Sequence, residues 1–321
     1  MDNKELLAHV GKCWPAGSVL ATTAELAEAG CGDRQLTRAV QGRLILRLRR
    51  GAYVQAHNWT SRKPWEQDKL RLWAHVVSTA GDGVYSHFSA ARILGLDVWN
   101  CGVRVHLISN GKPGGTGAAA DVSCHQLELD KSEVVFLTLG ESRRLKCTSM
   151  ERTVVDCARF GAFEPAVIVG DNALYKGASL PLMLSMVDSL AGKRGVMRAR
   201  RVLAALDGKA ESAGESRTRV FLSRMDIPQP VLQYKITANF KEYRADFAWP
   251  ELKLILEFDG NDKYYKDQRT PQVLREERRR ENLLVEQGWR FIRIEWDDLD
   301  RPGELRRRIY AAMATARRAA A

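Results

Sequence analysis

The sequence predicts a multidomain α/β protein. A small N-terminal helical unit with a basic two-stranded wing leads into an α+β middle region and then a C-terminal mixed sheet flanked by helices. Three observations point there. The chain has 321 residues, enough for two or three domains. Three short helical patterns precede the alternating basic stretch LILRLRRGAYV in residues 1–60. The last third reads α-β-β-β-α-β-α, with strand alternation in YRADFAWPELKLILEFDG. Hydrophobic content of 45% and charged content of 28% exclude a disordered chain. The net charge of +11 favours a polyanionic partner, as non-specific attraction. No apolar run is long enough to span a bilayer, and MDNKELLAHV has no signal-peptide core, so we expect a cytoplasmic protein with no membrane partner. The six cysteines form no CxxC pair and read as reduced thiols. The six histidines show no metal-pair spacing and read as structural or surface residues.

Residues 1–60 form the first predicted domain. A helix covers residues 4–13; Thr22 and Glu25 make a capping box for the next, which Gly30 closes. Asp33 is the expected cap of a third helix ending near Gly42, with Leu36 and Val40 facing inward. Arg34, Arg38 and Gln41 share another face of it, with Thr37 beside them. Leu44, Leu46 and Leu48 then alternate with Arg47 and Arg49, and Arg50-Gly51 turns the chain. Short helices, a basic third helix and a basic ribbon are the ingredients of a winged helix-turn-helix. Its recognition helix would enter a major groove of double-stranded DNA while Arg43, Arg47, Arg49 and Arg50 meet phosphate. A solvated basic helix face is the plainer alternative.

Residues 61–206 form the middle region. Helices are expected near 65–80 and in SHFSAARILGL, where Ser86 is a cap, with strands near 103–109, 123–129 and 134–139 and helices again from about 149 to 206. The glycine-rich 110–120 segment is only superficially a phosphate loop, since Pro113 follows Gly111-Lys112 and offers neither N–H nor hydroxyl. Arg152 and Asp156 stand four apart on one helix and read as a surface ion pair.

The polar stretch 207–216 reads as a linker to the third domain, 207–321. A helix near 215–224 and a strand near 233–236 lead into the hairpin. On its second strand Leu252, Leu254, Leu256 and Phe258 alternate with Lys253, Ile255, Glu257 and Asp259; on its first, Tyr243, Ala245 and Phe247 alternate with Arg244 and Asp246. With one buried face, and Ala248 paired to Lys253, the carboxylates of Asp246, Glu257 and Asp259 share one surface. A cation between them would offset their repulsion, and hard oxygen ligands select Mg²⁺ or Mn²⁺. A solvated acidic edge would show the same pattern. Beyond the hairpin, Thr270 and Pro271 open a helix holding REERRREN, and Trp289 to Glu295 reads as a strand covered on both sides.

These residues resemble the PD-(D/E)XK nuclease superfamily, specifically its very-short-patch-repair-like endonucleases, over about residues 207–300. The likeness rests on Glu215, Asp246 in YRADFA, Glu257 and Asp259 in LEFDG, and the tail Glu277, Arg280, Leu284 and Gly288-Trp289. It implies a restriction-endonuclease-like fold. Asp246 and Glu257 would be metal ligands, Asp259 a further ligand or orienting group, and Glu215 the holder of a metal-bound water or a second ion. The superfamily commonly has lysine two residues after the second acid, to stabilise developing phosphorane charge, but here that residue is Asp259. Lys263 or Arg280 could substitute, with Arg278 and Arg279 on flanking phosphates. The first two thirds resemble AbiE-type antitoxins in TTAELAEAG, residues 33–54, SHFSAARILGL and TSMERTVVD. That likeness implies operator binding, self-repression of an operon and a toxin-like partner. Two functions follow: a Mg²⁺- or Mn²⁺-dependent DNA endonuclease targeted by its winged helix, or a non-catalytic repressor or antitoxin-like regulator with a degenerate nuclease domain. The nuclease is favoured, because clustered carboxylates in a net-basic chain are costly without a metal.

Overall fold

The computed structural model describes residues 2–79, 83–109, 121–139, 143–260 and 271–320. The chain is mixed α/β, with three separate sheets among the described residues. No helix in them is long and apolar enough to cross a membrane. The chain divides into two compact units, Met1–Leu94 with Gly102–Ser149, and Gly95–Cys101 with Met150–Ala321.

The first unit opens with α1 (Asn3–Cys13), β1 (Leu20–Thr22), α2 (Thr23–Glu28), α3 (Asp33–Gln41), β2 (Ile45–Arg49) and β3 (Ala52–Gln55). The three strands form an antiparallel sheet ordered β1-β3-β2, and Leu6, Val10, Leu26, Leu36, Ala39 and Ile45 close the core. The Thr22 capping box is formed: Glu25 N–H donates to Thr22 Oγ1 at 3.2 Å and Thr22 N–H to Glu25 Oε2 at 2.7 Å. Two local expectations differ. Gly32, not Asp33, is the cap of α3, and its N–H donates to Gln35 Oε1 at 2.8 Å; Asp33 instead puts its charge in the first turn, where the helix dipole favours it. On β2 the fully buried side chain is Ile45, while Leu46 and Leu48 are half-buried, and a bulge shifts the register between Arg47 and Arg49.

The same unit continues through α4 (Ala56–Thr60), α5 (Pro64–Ser78), β4 (Val84–Tyr85), α6 (His87–Ile93), β5 (Val105–Ile108), β6 (Val122–His125), β7 (Val134–Leu139) and β8 (Arg143–Thr148). Its five-stranded mixed sheet is ordered β6-β5-β4-β8-β7. The short β4 and the β8 partner of β7 carried no clear sequence signal. The 110–120 segment lies outside the described residues.

The second unit begins with the helices α7 (Met150–Phe160), α8 (Phe163–Tyr175), α9 (Leu180–Ser189), α10 (Val196–Leu203) and α11 (Ala213–Leu222). Arg152 and Asp156 do not lie on the surface. Their side chains are 4% and 0% exposed and meet at 3.0 Å, because α7 is packed by α8, α9 and α10. Nor is 207–216 an open linker. Asp207 N–H donates to Asp171 Oδ1 at 2.8 Å, and Arg219 Nη2 reaches both oxygens of buried Asp171 at 2.7 and 2.9 Å. A Cβ on Gly208 would lie 2.9 Å from Leu174. The polarity of this stretch serves a buried carboxylate, and it ties α8 to α11, so residues 207–321 share a unit with the four helices before them.

The rest of the unit is β9 (Val231–Ala238), β10 (Lys241–Trp249), β11 (Leu254–Phe258), α12 (Pro271–Glu286), β12 (Arg290–Ile294), α13 (Trp296–Leu299) and α14 (Pro302–Ala320). The sheet is ordered β12-β11-β10-β9: an antiparallel meander, with β12 parallel to β11 after the α12 crossover. The β10–β11 register is two residues from the expected one. Ala248 pairs with Ile255, not Lys253, because a 3₁₀ turn over Pro250–Leu252 and a left-handed Lys253 (φ 45°) lengthen the connection. A shift of two keeps the parity of every side chain, whereas a shift of one would reverse it. The expectation of a single buried face fails. Leu254, Leu256 and Phe258 join one core with Leu305 and Ile309 of α14, while Ile255 joins another with Leu284 of α12 and Trp289. The carboxylates therefore sit at the end of a strand covered on both sides.

Candidate active site

The expected acidic residues reach the site from different elements. Glu257 is the penultimate residue of β11, which ends at Phe258, with Asp259 just beyond the strand. Asp246 lies in β10, and the observed register carried one residue further sets it opposite Glu257. Its Oδ2 accepts the Phe258 N–H at 3.0 Å. Opposite Asp246 on β9 is Gln233, whose backbone is left-handed at φ 52°. Both strands change faces at this point: Tyr234, Tyr243 and Ala245 pack toward the α12 side, whereas Leu232, Phe247 and Trp249 pack into the α14 core. A non-glycine residue in that conformation is held there by its surroundings. Gln233 Nε2 donates to Glu215 Oε2 at 2.9 Å.

Glu215 belongs to the first turn of α11, where Ser212 caps the helix. Its carboxylate accepts the Glu211 N–H and the Ser212 hydroxyl, each at 2.9 Å. Glu215 is 8% exposed. Burial, and then the charge of Asp246, push its pKa up to about 7 against the hydrogen bonds that lower it. Gly214, the residue before it, lets α11 approach β11, since a Cβ there would lie 1.9 Å from the Phe258 ring.

Glu215, Asp246, Glu257 and Asp259 all line one cleft of 580 Å³, together with Arg278, Arg280 and Arg293. Glu257 is also shifted up, first by burial, with Arg293 opposing and Asp246 and Asp259 adding to it. With Glu211 and Glu281 the cleft holds six carboxylates, and such a cluster, with pKa values raised at Glu215 and Glu257 and cationic side chains on the wall, is a recurrent signature of a functional centre. Arg280 stacks on Tyr243, its guanidinium carbon 5.1 Å from the ring centroid. Arg279 is exposed on the same helix but does not line the cleft. Lys263 lies outside the described residues.

Arg293 was not singled out from the sequence. Parallel pairing sets it beside Glu257, and its guanidinium meets Glu281 at 3.1 Å, Asp259 at 3.2 Å and Glu257 at 3.4 Å. Burial works against its charge, but Glu257, Asp259 and Glu281 outweigh it and raise its pKa. The one available signal was its odd-number parity with Phe291, on the α12 side of β12. Asp259, expected as a further ligand or orienting group, faces a fixed cation.

In the first unit, Arg34, Thr37, Arg38 and Gln41 of α3 line the helix as expected, with Arg34 and Arg38 exposed, as are Arg43 and Arg50. Arg49 differs: it is half-buried and its Nη1 meets Asp121 Oδ2 at 2.5 Å, so it does not stand open to a phosphate as expected.

No family model matches the chain. It is similar to two Mycobacterium tuberculosis proteins described as uncharacterized, one from strain CDC 1551 / Oshkosh and one from H37Rv. Each is 37% identical over 130 residues, which is 40% of this chain and 46% of the relative. The match thus spans about half the length of those relatives, whose descriptions name no activity.

Proposed function

We propose that the protein is a divalent-cation-dependent DNA endonuclease of the PD-(D/E)XK type, with a restriction-endonuclease-like core in its second unit and a winged helix-turn-helix at its N-terminus. The observation that carries this reading is the convergence of Glu215, Asp246, Glu257 and Asp259 with Arg278, Arg280 and Arg293 on one cleft. The donor set fits a hard cation: Asp246 and Glu257 supply carboxylate oxygens from neighbouring strands, and their mutual repulsion would be relieved by it. Bound there, Mg²⁺ or Mn²⁺ would polarise the scissile phosphate and lower the pKa of a water for in-line attack. Glu215, with a pKa of about 7, is suited to taking a proton from the attacking water at neutral pH. Arg293 supplies the positive charge that the missing lysine would have supplied, held by Asp259 in place of that lysine. Arg278 and Arg280 bind flanking phosphates. The N-terminal unit supports the targeting role through Arg34, Thr37, Arg38 and Gln41 on α3 and through Arg43, Arg47 and Arg50 of the wing.

A second reading has its own observation. Arg293 already pairs with Glu257, Asp259 and Glu281 and offsets part of their charge, which weakens the case for a cation and favours a DNA-gripping repressor or antitoxin-like regulator. Incubation of supercoiled plasmid with the protein and Mg²⁺ or Mn²⁺ separates the two. Nicked product that EDTA suppresses supports the nuclease. A gel shift with no product in either ion supports the regulator.

A further inference from the structure

Three histidines far apart in sequence meet in the first unit, whereas the carboxylate cleft belongs to the second. His106 and His125 lie on adjacent parallel strands, β5 and β6. His106 is opposite Ser123, two residues before His125, so both rings project from one face of the sheet. His87 begins α6, which packs on β5, and its ring stacks on both others, with centroids 4.0 Å from His125 and 5.4 Å from His106. One ring nitrogen from each of the three lies within 4.8 Å of the others. His106 Nδ1 and His125 Nε2 are 2.9 Å apart.

We propose that His87, His106 and His125 form a three-imidazole site for Zn²⁺, separate from the hard-cation cleft. Two imidazole nitrogens on one tetrahedral Zn²⁺, each about 2.0–2.1 Å from it, stand about 3.4 Å apart, so small ring rotations bring these three onto one ion. Imidazole is a ligand for Zn²⁺ and its first-row neighbours, whereas Mg²⁺ selects oxygen. Two features beyond proximity fit a ligand role. Ser86 Oγ lies 2.9 Å from His87 Nδ1, an outer-shell contact of the kind that orients a metal-binding histidine and leaves Nε2 for the ion. His87 also has a left-handed backbone (φ 51°), a conformation that L-residues adopt at a cost and that here directs the ring into the stack. Three imidazoles would leave the fourth position of a tetrahedral ion to water or a small anion, the arrangement of three-ligand zinc centres.

The test uses the full chain, stripped with chelator and titrated with Zn²⁺ and with Co²⁺ as a coloured stand-in. The expected result is at least one equivalent of ion per chain retained through desalting, one of them independent of the carboxylate cleft, with visible d–d bands that Zn²⁺ abolishes. His125→Ala, on the edge strand, and His106→Gln each weaken binding by at least about a hundredfold, since even outer-shell partners are worth about ten- to a hundredfold. Ser86→Ala weakens it about tenfold. Circular dichroism shows which variants fold, and the wild-type titration does not depend on any of them. Asp246→Ala with Glu257→Ala, and Cys124→Ser, keep the Co²⁺ bands, which separates this site from the cleft and from the neighbouring thiol. Wild-type protein that retains no stoichiometric Co²⁺ or Zn²⁺, or bands that survive His125→Ala and His106→Gln, overturns the proposal and leaves a hydrogen-bonded histidine stack.

Discussion

Glu215 and Arg293 set the electrostatics of the cleft. Glu215 is a buried carboxyl with a folded pKa of about 7, above the ordinary value of 4.5. A carboxyl raised on folding binds more protons in the native than in the unfolded state between those two pH values, so its contribution to stability falls as pH rises from about 4.5 to 7. Glu215→Gln should therefore flatten the fall of melting temperature over that window and, without metal, stabilise the protein at pH 8 by at most about 3 kcal/mol. Chemical denaturation at pH 5 and pH 8 measures it; an unchanged slope would show that Glu215 titrates normally. Arg293 is nearly half exposed, so its ion pairs contribute little to folding, about 1 kcal/mol or less. Arg293→Gln should leave the melting temperature within a few degrees yet reduce cleavage about a hundredfold, and Arg293→Lys should recover part of it. Equal cleavage by wild type and Arg293→Gln would remove Arg293 from the chemistry.

At the scale of elements, the alternation that sets Glu257 and Asp259 on one face of β11 is a local property of the chain and could be read from it, whereas the change of faces at Gln233 and Asp246 could not. Nor could the β10–β11 register, because it depends on the 3₁₀ turn and the left-handed Lys253. Arg293 could not be placed either. Its partners come from a parallel strand pairing made across the α12 crossover, and no local pattern announces which residues will be neighbours. The His87–His106–His125 cluster was hidden for the same reason, since sheet and helix packing bring together residues that sequence spacing keeps apart. Arg152–Asp156 shows the converse: helical spacing foretold the pair but not that neighbouring helices would bury it. Two predictions belong here. Gly214→Ala places a methyl against Phe258 and should destabilise the second unit by about 1–3 kcal/mol in denaturant unfolding, because α11 must shift off β11. On α3, Arg34→Ala with Arg38→Ala should weaken DNA binding and reduce the slope of log affinity against log salt by about 2, one for each phosphate no longer neutralised. An unchanged slope would place the DNA elsewhere.

At the scale of the whole molecule, the chain joins a unit with an exposed basic helix to a unit whose cleft gathers carboxylates within a net charge of +11. Such a balance favours a polyanionic partner and, on the proposed function, leaves the acidic cleft as the place where a cation would act. Cleavage at that cleft is what distinguishes a nuclease from a DNA-gripping regulator. The most direct measurement is the nicking rate of supercoiled plasmid in Mn²⁺ for wild type, Asp246→Ala and Glu257→Ala, with gel shifts run on the same samples. Wild type should nick, each variant should lose about a hundredfold or more of that rate, and DNA binding should be unchanged in both. Wild-type protein that binds DNA without nicking it, or variants that nick as fast as wild type, would contradict the proposed nuclease.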